Sequence, residues 1–184
     1  MVQERIFKSF PAESDLYSAD VAPIIGYTTS RYGIDEWRAA VITNELHGHL
    51  GIYATIGVKM GIFAREQLGN PHHLKVISFA GDTPPVSCMN DGLQVSTGAT
   101  IGHGLISIAD NSAARPEAIF IDRERQLHLR LNDDKSQQIE RDVRRGVELY
   151  GTQSPDYWRY IRRLAIEYWQ SFDRNEIFDI VLDQ

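Results

Sequence analysis

The chain has 184 residues, 42% of them hydrophobic and 24% charged, with a formal net charge of −6. That is enough for one domain with a real core. The acidic balance without a strong basic patch argues against a nucleic-acid partner, because phosphate neutralisation supplies most of that affinity. No apolar run approaches the roughly 18 residues of a membrane span. A single cysteine rules out an internal disulfide. Together with an opening stretch, Met1 to Phe10, that lacks a continuous apolar core, it fits a cytoplasmic protein.

Residues 1–33 are punctuated by Pro11, Pro23, Gly26 and Gly33 and read as an N-terminal arm packed on the body or on a partner. Within the arm, Asp15 to Ala22 suggests a short helix that stops before Pro23. A helix is predicted from about Asp35 to Leu46, with two acids in its positive first turn and Trp37, Val41 and Leu46 as one stripe. It runs into Glu45-Leu-His47-Gly48-His49-Leu-Gly51. Residues i and i+2 of a helix point about 200° apart, at ~3.6 residues per turn, so His47 and His49 cannot face one point from a regular helix. From a turned segment they can, and the two glycines permit one.

A second helix should span about Ile52 to Leu68, ended by Gly69 and Pro71. Gly57 and Gly61 leave it a smooth strip for close approach of another backbone. His72-His73 reads as an exposed turn. Leu74 to Ala80 is a strand, and a helix from near Pro85 carries Cys88, Asp91 and Val95 on one side with Gln94 beside them. The glycine-rich turn Gly98 to Gly104 holds His103.

Further strands are expected at Leu105 to Ala109, Glu117 to Asp122 and Gln126 to Leu131, the last two joined by a hairpin. The last alternates cleanly and places His128 on a solvated face. Asn132 and Ser154 cap two closing amphipathic helices. The second, beginning at Pro155, bears the stripe Trp158, Ile161, Ala165, Tyr168, Trp169 and Phe172, with Arg159, Arg162 and Arg163 largely outside it. Glu176 to Leu182 is either a last strand or an apolar arm. The whole predicts a single α+β domain over residues 1–184, with a mixed or antiparallel sheet and a helical C-terminal region, 133–184. So much aromatic surface on one helix predicts a homodimer, through that helix or through the tail exchanged between two copies.

His47-Gly-His-Leu-Gly51 and Cys88-Met-Asn-Asp91-Gly-Leu-Gln94-Val-Ser-Thr-Gly98-Ala-Thr-Ile-Gly102-His103-Gly104 together resemble the two motifs of the FmdE-like family, named for formylmethanofuran dehydrogenase. There the usual forms are His-Gly-His-Leu-Cys-Pro-Gly and Cys-x-x-Asp-x-x-Gln-x-x-x-Gly-Cys-Thr-x-Gly-Lys-Gly. The closing Asn175-Glu-Ile-Phe-Asp-Ile resembles the family's ending, and the likeness runs from about residue 35 onward. The resemblance implies an α+β domain, often dimeric, with a metal-binding cysteine and histidine site. This chain is a variant: the first motif's cysteine is replaced around Gly51-Ile52, the second motif's inner cysteine is Ala99, the lysine is His103, and with Cys88 as its one cysteine it has no C-terminal zinc ribbon.

One thiolate with two or three imidazoles is a borderline-soft ligand set, suited to zinc or to nickel or iron. The expected metal ligands are therefore His47, His49, Cys88 and His103. Asp91 and Gln94 are expected to orient a ligand histidine or to bind a small molecule. Three functions follow from these residues: a zinc-dependent accessory or small-ligand-binding protein; an enzyme in which the metal activates water or Cys88 acts as nucleophile with His49 or another imidazole as base; or a structural homodimer whose site has decayed. A formylmethanofuran dehydrogenase activity of the chain by itself is not expected, because function resides in the site and not in the fold.

Overall fold

The computed structural model describes residues 6–110 and 113–182; the first five residues of the opening stretch lie outside it. After two short 3-10 turns come α1 (Ile25–Tyr32), α2 (Ile34–His47) and α3 (Ile52–Gln67). Then follow β1 (Lys75–Ser78), α4 (Met89–Thr97), β2 (Ile106–Ile108), β3 (Glu117–Asp122) and β4 (Arg125–Leu131). The chain closes with α5 (Asp133–Tyr150), α6 (Pro155–Ser171) and β5 (Phe178–Ile180). This is an α+β fold with a mixed sheet. No helix of the described residues is long and apolar enough to cross a membrane.

The sheet order is β2-β1-β3-β4-β5, with β1 and β2 parallel and every other pair antiparallel. The one parallel pair is joined by the crossover through α4, since parallel neighbours need a long connection. Side chains alternate across the pleat. One face, carrying Val76, Ser78, Ala118, Phe120, Leu129 and Leu131, is buried. The tail proves to be a strand: β5 pairs with the β4 of its own chain.

The helix ends obey local chemistry. Gly48 takes a left-handed φ of 80° after α2, which reverses the chain toward α3 at little cost because it has no Cβ. Asn132 accepts the Lys135 N–H and Ser154 accepts the Tyr157 N–H, capping α5 and α6. The expected helix at Asp15 to Ala22 is instead a pair of short 3-10 turns, and the regular helix of the arm comes after Pro23. Val21, Ile24 and Ile25 are buried, so the arm packs on the body.

α3 is buried nearly all round, from Ile52 to Ala64. The glycine strip works as expected, against α4. A Cβ on Gly57 would stand 2.1 Å from the Met89 carbonyl oxygen, and one on Gly92 would stand 2.1 Å from that of Ala54. The two backbones touch where side chains would otherwise intervene. The aromatic stripe of α6 goes mostly into its own chain: Ile161, Ala165, Tyr168, Trp169 and Phe172 are buried, and Trp169 stacks on Trp37. Trp158 is the exception.

Candidate functional site

α2, α4 and α6 converge on the turn 47–51. His47 ends α2, and beyond the left-handed Gly48 the backbone brings His49 back over it. The two ring centroids are 4.4 Å apart. Asn44, one turn before His47, braces this reversal by accepting the Gly51 N–H at 2.8 Å, and Leu50 anchors it in the core.

His47 Nδ1–H donates to Asp91 Oδ2 at 2.8 Å. A carboxylate on one imidazole nitrogen fixes the ring's orientation and leaves the other nitrogen for a different partner. Here that nitrogen, Nε2, is buried and has no hydrogen-bond partner. It faces Gly51, where a Cβ would lie 3.2 Å from it. A buried polar atom without a partner costs free energy, so its persistence asks for a use.

His49 stands edge-on to Trp158 of α6, centroids 5.3 Å apart at 66°. Burial, and then the neighbouring His47, push its pKa below the ordinary imidazole value. His49, Leu50, Pro155, Trp158, Arg159, Ile161 and Arg162 enclose a partly open cavity of about 360 Å³. The arginines were expected only as outward residues of α6. No spacing in the chain showed that the 47–51 turn would roof them.

Cys88 lies just before α4, half-buried. Burial, and then the Asp91 charge, push its thiol pKa up. A thiol so placed favours its protonated form, the opposite of what a nucleophile or an unassisted metal ligand needs. Gln94 accepts the Ile101 N–H at 3.1 Å and so holds the glycine-rich turn. His103 is exposed in that turn, its ring Nδ1 3.4 Å from the Gly98 carbonyl oxygen. The structure thus brings together His47, His49 and Asp91. Among the described residues no three His, Cys, Asp or Glu side chains are grouped to hold a metal ion.

His128 corrects its expected solvated setting. Its Nε2 lies 2.8 Å from Glu117 Oε1 and its ring stacks on Phe79, with a side chain only 12% exposed. Alternation gave its face correctly but not what covers that face. Sequence reasoning also passed over Lys59, which is fully buried and reaches Glu36 Oε1 at 2.6 Å. A lysine amid the apolar run of α3 was the available clue.

Residues 46–179 match the family described as "FmdE, Molybdenum formylmethanofuran dehydrogenase operon". The chain belongs to the FmdE family. The matched span contains His47, His49, Asp91 and Trp158, and Asn44, which braces the turn, lies just before it. An Archaeoglobus fulgidus protein named "Probable S-adenosyl-L-methionine-binding protein" is 31% identical over 77 residues, which cover 40% of this FmdE chain and 21% of that relative.

Proposed function

We propose that this FmdE-family chain is a small-ligand-binding protein whose ligand sits in the cavity between the 47–51 turn and α6. The observation that carries the reading is that cavity of about 360 Å³, walled by Trp158 and His49 and backed by the oriented His47–Asp91 pair. A concave, mostly apolar space with a few convergent polar groups is the usual form of a small-molecule site. The relative named for S-adenosylmethionine binding makes adenosyl compounds the first probes.

Equilibrium dialysis of the purified protein with labelled adenosine compounds, S-adenosylmethionine among them, is the test. Saturable binding near one per chain, lost in Trp158→Ala, supports the reading. Absence of binding by all of them at millimolar concentration overturns it.

A second reading adds zinc at the same end of the site, with His47, His49, Cys88 and His103 as donors. What favours it is His47, oriented by a carboxylate in the manner of ligating histidines, with Nε2 left over. The described side chains do not fit an ion as they stand, since no three donors are grouped. They would have to gather on binding. Elemental analysis of protein purified without a polyhistidine tag decides: one zinc per chain, lost in His47→Ala, supports this reading, and no uptake from micromolar zinc rejects it.

A further inference from the structure

We infer that the ligand of this cavity is a flat, largely apolar body carrying an anionic group, and that Arg159 receives the anion. The inference rests on the small-ligand reading above and fixes the charge and shape of what that site takes.

The shape follows from the walls. Trp158, Leu50 and Ile161 are apolar, and the indole is 44% exposed. Its unused ring surface suits stacking with a planar partner. The His49 ring, edge-on to the indole, closes one side.

The charge follows from which ionic groups face the space. Among the described residues the charged side chains lining it are Arg159 and Arg162, and no carboxylate lines it. The two cations differ in how firmly they are held. Arg162 binds both oxygens of Asp20, Nε at 2.6 Å and Nη2 at 2.9 Å, and Nη2 also donates to Ser18 Oγ at 2.9 Å. A guanidinium gripped by both carboxylate oxygens and a hydroxyl is a tether. It fastens residues 18–20 to α6 and is a positioning residue.

Arg159 pairs with Asp156, three residues earlier on the same helix, and the two side chains are 74% and 59% exposed. Such surface pairs are worth little, so an incoming carboxylate or phosphate exchanges for Asp156 at small cost. A planar guanidinium then offers that anion a two-pronged contact. A sulfonium compound with a net positive charge, by contrast, adds a cation beside two guanidiniums that Asp156 and Asp20 already pair, and the described lining holds no acid of its own to receive it. Among adenosine compounds the cavity therefore selects the anionic ones.

Trp158 also supplies the readout. The other two tryptophans, Trp37 and Trp169, are each 1% exposed, so quenching by added ligand reports on this wall. The full chain is titrated with adenosine monophosphate, adenosine, S-adenosylmethionine and inorganic phosphate. The monophosphate should bind about tenfold or more tighter than adenosine or S-adenosylmethionine, which is the scale of one added charge-assisted contact. That advantage should shrink at high salt. Arg159→Gln should bring the monophosphate down to the adenosine level while leaving adenosine unmoved, and Asp156→Asn should tighten the monophosphate.

Adenosine or S-adenosylmethionine binding as tightly as the monophosphate would overturn the anionic assignment and leave the small-ligand reading standing. Phosphate alone binding as well as the monophosphate would overturn the flat body. Failure of every adenosine compound would reject the reading on which both rest.

Discussion

Two helix-borne carboxylates, Glu36 and Asp91, each meet a basic side chain, and the contrast between them separates framework from site. Glu36 is 1% exposed and both of its oxygens are used: Lys59 Nζ lies 2.6 Å from one and Arg174 Nη1 2.9 Å from the other. Lys59 sits 3.9 Å over the Tyr32 ring, and Arg174 goes on to Tyr32 O and Glu66. Burial pulls the Lys59 pKa down, and Glu36 opposes that pull. Every charge in this junction has a protein partner, and it locks α1, α2, α3 and the residues after α6 together. Asp91 is a third exposed, and its imidazole partner keeps one nitrogen unpaired. A closed polar cluster spends its bonds on holding the fold; an open one keeps a valence for something else.

The sharpest way to break the contrast is Glu36→Ala. It leaves Lys59 buried without a counter-charge, and chemical denaturation should show a loss of about 3–5 kcal/mol with ligand affinity per folded molecule unchanged. Next in size is Gly57→Ala, which drives a Cβ into the Met89 carbonyl. Overpacking of this kind should cost about 1–3 kcal/mol, read from the same denaturation midpoint.

Asp91→Ala belongs to the other class. It should lower stability by only about 1–2 kcal/mol. Its ligand affinity, measured by dialysis, should fall several-fold, because His47 is no longer held beneath His49. If Asp91→Ala behaved like Glu36→Ala, the contrast would collapse. The smallest effect is expected at Asp20→Asn, about 1 kcal/mol or less, since that pair is partly exposed. The Arg162 guanidinium holds the Asp20 carboxyl well below its ordinary value of 3.8. A carboxylate depressed on folding stabilises above its unfolded pKa and loses that contribution as pH falls toward its folded one. The difference between wild type and Asp20→Asn should therefore be full at pH 7 and shrink below about pH 4.

Apart from α1, which follows Pro23 where no helix was expected, the main elements of the fold were legible because they rest on local chemistry. Glycine between His47 and His49 marks the reversal, Asn132 and Ser154 mark helix starts, and the Gly57–Gly61 strip marks a close neighbour. The His47–Asp91 pairing was half legible: both residues were singled out, but their bond joins positions 44 apart in sequence. The cavity was not legible. It needs Trp158 and Arg159, on a helix whose stripe reads as core, to meet a turn more than a hundred residues earlier. The Lys59–Glu36–Arg174 junction escaped for the same reason. The aromatic surface of α6 was read as contact with a second chain, and most of that stripe is buried within its own chain. Trp169 and Phe172 are buried at home, and on α6 and the tail the exposed large apolar residues are Trp158, Ile180 and Leu182.

The touching backbones of α3 and α4 bear on how the site is ordered. Met89 and Gly92, which bracket Asp91, are the residues pressed against Gly57 and Ala54. α3 itself begins immediately after Gly51, so the helix that supports the histidine turn packs backbone to backbone on the helix that carries the carboxylate. Binding draws its cost largely from ordering what was loose beforehand. Folding thus sets the His47–Asp91 end of the site in advance, so the ligand proposed above should meet that end at little ordering cost.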